Sequence, residues 1–180
     1  MASFLSLARA IDILNDKIGR TVSWLALFMV LIQFIVVLLR YVFGIGSIFM
    51  QESIIYMHGL LFMLGSGYTL LHGGHVRVDI FYGDASERNQ ALVDFFGAIF
   101  LLLPVLILIF TYSWPYVWQS WEIREASKET SGIPYLYVLK SAIIAFCVLM
   151  ALQGISMAIH SLAIICGCEH KAKEDGPGGI

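Results

Sequence analysis

The residues of this chain best suited to chemistry are its histidines and a pair of cysteines near one end. Cys166-Gly167-Cys168-Glu169-His170 has the residue types of a metal site, but a tetrahedral centre wants four ligands and no second cluster accompanies it. Reduced thiols at a helix end are the simpler reading. Cys147 sits within an apolar run, and the three cysteines are not spaced as a disulfide framework. The histidines raise haem, which four-helix membrane proteins hold between two axial imidazoles. Counted at about 1.5 Å per residue, His58 and His160 differ by roughly 20 Å in depth and cannot share one haem. His72 and His160 fall at similar depth, so that pairing stays open beside the alternative of histidines at helix ends. No nucleophile–base motif, Walker loop or dinucleotide fingerprint is present. The chain is therefore read as non-enzymatic, with no cofactor or metal assigned.

The most chemically varied stretch is Gly73–Tyr82, Gly-Gly-His-Val-Arg-Val-Asp-Ile-Phe-Tyr. Two glycines free the backbone where a preceding apolar helix ends. His75, Arg77 and Asp79 then alternate with Val76, Val78 and Ile80, a pattern that lets the segment lie at a membrane surface with its charges toward water or a partner.

The elements around that stretch are those of a membrane protein. Of 180 residues, 59% are hydrophobic and 13% charged, with mean hydropathy +0.82, outside the range of soluble domains. Net charge is -2, so no nucleic-acid footprint is visible. The reading is an all-α integral membrane protein of four transmembrane helices, with spans at about 21–41, 52–72, 91–113 and 140–166. Each is long enough to cross a hydrocarbon core of roughly 30 Å. No small-residue cleavage pattern follows the first apolar run, so that run is expected to remain as a span.

Residues 1–19 carry Phe4, Leu7, Ile11, Leu14 and Ile18 at spacings of three and four, with Arg9, Asp12, Asn15, Asp16 and Lys17 mostly off that stripe. This predicts an amphipathic helix lying against membrane lipids, with a soluble helix packed on a partner as the alternative. Residues 20–168 form the four-span domain, and 169–180, rich in glycine and mixed charge, read as a disordered tail. Gly59, Gly65, Ser66 and Gly67 in the second span, and Gly154 and Ala158 in the fourth, favour close helix contact. Pro104 predicts a kink in the third. Trp114, Tyr116, Trp118 and Trp121 mark its exit through an aromatic belt. Glu122–Gly132 is read as a charged helical connector.

Four spans place both termini on one side. That side carries seven Lys and Arg residues against four on the other, so both termini are expected to be cytoplasmic. Arg40 ends the first span and Glu52 opens the second, which makes an ion pair across the hairpin one of two readings, separate snorkelling being the other. Polar groups within the spans amount to Gln33, His58, Asp94, Gln153 and His160, a poor lining for a pore. An accessory role beside a larger membrane protein follows, with a haem- or quinone-binding anchor of a redox enzyme as the alternative.

Several of these stretches together resemble the small membrane subunit of tripartite ATP-independent periplasmic (TRAP) transporters, the DctQ-like family. They are Arg40-Tyr41-Val42-Phe43-Gly44, Glu52, and above all His75-Val76-Arg77-Val78-Asp79 after the second span. Family members often carry a tryptophan and two adjacent acids before that span; this chain has Phe49-Met50-Gln51-Glu52-Ser53, with one acid. The resemblance implies a bacterial inner-membrane protein. It implies as partners a large DctM-like membrane subunit, which this one braces, and a periplasmic substrate-binding protein, in sodium-driven uptake of an organic acid. Arg40, Glu52, His75, Arg77 and Asp79 become candidates for structural and subunit contacts, and Glu122, Glu125 and Glu129 for docking the binding protein.

Overall fold

The computed structural model describes residues 2–76, 82–83 and 85–167. Its helices are α1 (Ala2–Val42), α2 (Ile48–Leu71), α3 (Glu87–Gly97), α4 (Leu103–Glu122) and α5 (Leu136–Ile165), with a π-helical turn, Ala98–Leu102, joining α3 to α4. Four stretches are long and apolar enough to cross a membrane: Ser3–Val42, Ile48–Leu71, Glu87–Glu122 and Leu136–Ile165. No strand occurs among the described residues.

α5 is the hub. It touches every other helix, whereas α4 touches no helix except α5 beyond its own π turn. Its composition explains the position: α5 is apolar nearly all round, and ten of its residues are buried, Ala142, Cys147 and Gly154 among them. α1 and α2 pack on one side of it and the α3–α4 arm on the other. Between them lies an apolar cleft of about 920 Å³, lined by Ile18, Leu64, Trp114, Val117, Trp118 and Leu149 among others.

Pro104 acts locally as expected from its chemistry. It lacks an N–H, and its ring would strike the carbonyl four residues back in a regular helix. The preceding backbone widens to π spacing, with the Leu103 N–H donating to Ala98 O. Leu102, the last residue of that turn, fills the space left by Gly154; a Cβ there would lie 2.8 Å from Leu102 Cδ2.

α1 runs unbroken from Ala2 to Val42, so no break separates residues 2–19 from the helix that carries the first span. One segment differs from expectation. The connector after α4 is not helical: residues 123–135 are turns and bends. The helix ends in a Schellman arrangement, with Arg124 N–H donating to Trp121 O at 3.2 Å and Glu125 N–H to Ser120 O at 3.0 Å. Arg124 occupies the left-handed position at φ 47°, where glycine is usual and an L side chain costs about 1 kcal/mol or more.

Candidate functional site

Polar side chains gather at the two ends of the bundle. At the end holding both termini, the centre is Asp12 on α1. Its Oδ1 accepts from Ser156 Oγ at 2.6 Å and Gln153 Nε2 at 2.9 Å, and its Oδ2 pairs with His160 Nε2 at 3.1 Å. Asn15, one turn on and wholly buried, donates through Nδ2 to Gln153 Oε1 at 2.8 Å. The ionised carboxylate sets the direction of this chain. Gln153 must turn its amide N–H toward Asp12 and its carbonyl toward Asn15, and Asn15 must then aim Oδ1 at α2. There Oδ1 has no hydrogen-bond partner and rests against Gly67. One turn further, Asp16 takes Arg20 Nε at 2.8 Å and His72 Nε2 at 3.1 Å, tying α1 to the end of α2.

α1 thus turns Asp12 and Asn15 inward, while Arg9, Lys17 and Arg20 stay exposed. Ala8, Ile11, Asn15 and Gly19 are buried against the bundle, while Phe4, Leu7 and Leu14 of the apolar stripe are exposed. The Asp12 carboxylate and the Asn15 amide thus find their partners inside the bundle, where an unpaired polar group would be costly.

At the opposite end, Glu52 at the start of α2 staples the connector. Its Oε1 accepts from Ser127 Oγ and its Oε2 from the Ile133 backbone N–H at 2.6 Å. Gly132 passes so close that a Cβ would strike Ser127 and crowd Glu52. Glu125 Oε2 is ion-paired with Lys140 Nζ and accepts from Ser120 Oγ at 2.7 Å. The Lys140 ammonium first, and then the Ser120 hydroxyl, hold the Glu125 carboxyl below its ordinary value of 4.5. A depressed carboxyl stabilises the fold above its unfolded value, and that contribution fades as pH falls through the folded one. The thermal midpoint should therefore decline as pH drops below about 4.5. A Glu125→Gln variant, scanned in parallel, should lack this part of the acid response.

The sequence-derived candidates divide as follows. Arg40 and Glu52 are not paired: Arg40 is exposed with no ion-pair partner among the described residues, and Glu52 is occupied by the connector. Reversing both charges should therefore rescue nothing, whereas Glu52→Gln alone should loosen the connector. Faster cleavage by added protease between residues 123 and 135 would report that loosening, and equal cleavage would contradict the staple. His75 is exposed; Arg77 and Asp79 lie outside the described residues. Glu122 accepts from Trp118 Nε1 at 2.8 Å, and Glu129 is exposed. His72 and His160 each turn Nε2 to a different α1 carboxylate, not to a shared space. Asp94 accepts from the Tyr82 hydroxyl at 2.6 Å. Cys168 and His170 lie outside the described residues.

The Asp12 network escaped sequence reasoning because its halves lie about 140 residues apart. The visible signal was a polar stripe, Gln153, Ser156 and His160, spaced three and four apart on an apolar helix.

Four long apolar helices, with α1 and α5 joined through buried polar side chains, define a multi-pass integral membrane protein. The chain matches the family model described as tripartite ATP-independent periplasmic transporters, DctQ component, over residues 29–163. That covers most of its length, and the chain belongs to the DctQ family of TRAP transporter membrane components. No curated protein and no solved structure matches it closely enough to add to this.

Proposed function

We propose that this chain is the non-catalytic small subunit that braces a large DctM-like permease in the bacterial inner membrane. The whole transporter would take up an organic acid delivered by a periplasmic binding protein and driven by sodium. The observation that carries the bracing role is the disposition of polar groups within the spans. Asp12, Asn15, Gln153, Ser156 and His160 bond to one another across α1 and α5, while both helices carry large exposed apolar side chains. Such a bundle is suited to rigid packing against a neighbour. Both termini then face the cytoplasm and the 123–135 connector faces the periplasm.

Purification of the tagged chain from native membranes in mild detergent tests this directly. A polytopic permease recovered at one-to-one ratio is the expected result. Recovery with a soluble oxidoreductase instead would overturn it. In the same reading, His75, Arg77 and Asp79 fix the cytoplasmic segment after α2 against headgroups or the large subunit. Arg77→Ala should lower the yield of assembled complex severalfold, and an undiminished yield with full transport would remove that role.

A further inference from the structure

Among the described side chains that line the apolar cleft between the α1–α2 pair and α4, Glu122 alone is charged. Its carboxylate accepts from Trp118 Nε1, a neutral donor, and forms no ion pair among the described residues. Inward from it along α4 stand Trp118 and Trp114, their rings stacked 6.4 Å apart, with Trp121 on the same wall. The indole N–H groups of Trp118 and Trp121 are bound within the chain, to Glu122 and to Ser141 Oγ, so these two residues offer the cleft apolar ring surface. All three rings are about half exposed. Opposite them, α5 contributes the small residues Ser141 and Ala145. The cleft is open at its side, because α4 meets no helix except α5 beyond its own π turn. Glu122 is the last residue of the third membrane-crossing stretch, and Trp114 lies eight residues, about 12 Å, further in. The carboxylate therefore stands at headgroup level, with the tryptophans reaching down beside acyl chains.

We infer that this cleft binds one phospholipid with an ammonium headgroup, of the phosphatidylethanolamine type, its acyl chain against the tryptophans and its ammonium at Glu122. Charge complementarity selects this occupant. An apolar helix edge would fill the trough and leave Glu122 without a counterion. An anionic headgroup would bring a second negative charge beside the first. An ammonium satisfies the carboxylate and is also attracted by the electron-rich indole faces. Arg124 and Lys128, at the same end of the bundle, do not line the cleft, so its mouth is acidic although that end as a whole is not. The volume, about 920 Å³, lies within the range of roughly 300–1,000 Å³ in which ligand sites fall. The site requires a bilayer but does not depend on the transporter reading above.

Brominated phospholipids quench indole fluorescence on contact, and the chain has four tryptophans. A Trp24→Phe background leaves only the three of the cleft. Brominated phosphatidylethanolamine, titrated into this full chain in maltoside micelles, should quench saturably at about one lipid per chain. Phosphatidylglycerol with the same brominated chains should bind about fivefold more weakly, the upper range for an exposed ion pair. Glu122→Gln, which can still accept from Trp118, should erase that preference. Ala145→Phe, which fills the cleft from α5, should weaken both lipids severalfold. Equal binding of the two lipids by the parent chain, or a preference that survives Glu122→Gln, would overturn the ammonium assignment. Quenching that never saturates and ignores Ala145→Phe would reduce the cleft to ordinary lipid contact and overturn the site. In the complex purified from native membranes, a photoactivatable phenylalanine in place of Val148 should label phosphatidylethanolamine. Labelling of a neighbouring protein instead would give the cleft to that protein and overturn the lipid occupant.

Discussion

An Asp12→Leu variant is expected to lower stability by about 2–4 kcal/mol. The carboxylate accepts from Gln153, Ser156 and His160. After the change, Ser156 Oγ can fall back on Ala8 O at 3.2 Å, but Gln153 and His160 lose the group that orients them. Interhelical hydrogen bonds in membranes are worth about 0.6 kcal/mol on average, up to roughly 1.7. A stranded buried donor adds about 1–3. Against this, leucine inserts into a bilayer more readily than aspartate, by about 3 kcal/mol at the centre. Depth decides which effect wins. Asp12 is thirty residues from Val42, the far end of its helix, or roughly 45 Å at 1.5 Å per residue. A hydrocarbon core is about 30 Å thick, so Asp12 sits at or beyond its edge, where the insertion gain is small. The lost network therefore dominates.

Asp12→Asn keeps an acceptor for Gln153 and Ser156 and should cost much less. Asp12→Leu combined with Ser156→Ala should cost less than the sum of the two, because both act on one network. Thermal unfolding of the purified chain in detergent, followed by tryptophan fluorescence, measures all three. A wild-type midpoint in Asp12→Leu would show that the network contributes nothing.

What could be read from the sequence, and what could not, follows from the range of each interaction. Span number and placement are local properties of apolar length, and α2 and α5 begin within about four residues of the expected positions. Phe4, Leu7 and Leu14 were legible as one stripe, but which side of α1 meets the bundle depends on partners in α5. The connector was expected to be helical on its charge pattern. It is a loop because Glu52, more than seventy residues earlier, binds Ser127 and Ile133, and no local signal announces that. The same contact explains why Arg40 and Glu52, adjacent across a hairpin, do not pair.

The second large effect is expected at Gly67, and it distinguishes one glycine among several that look alike in sequence. Gly59, Gly65 and Gly67 all lie on α2 and all suggest close helix contact. Their surroundings differ. A Cβ at Gly65 finds nothing nearer than Val22 Cγ2 at 3.9 Å, and one at Gly59 meets the mobile tip of Leu139 at 3.0 Å. A Cβ at Gly67 strikes Asn15 Oδ1 and stands 3.0 Å from Asn15 Cγ. Asn15 cannot step aside, since it is wholly buried and its amide is bonded to Gln153. Alanine would gain up to about 1 kcal/mol in helix propensity, and overpacking costs about 1–3. Gly67→Ala should therefore be destabilising by about 1 kcal/mol and Gly67→Leu by more than 3, the latter forcing α1 and α2 apart. Gly65→Ala should be neutral or slightly stabilising. Thermal midpoints in the order Gly65→Ala, Gly59→Ala, Gly67→Ala, Gly67→Leu, from highest to lowest, are the expected outcome. A Gly67→Leu variant as stable as Gly65→Ala would mean that α1 and α2 do not meet at Asn15. The Asp12 network would then lack the wall against which its last amide is set.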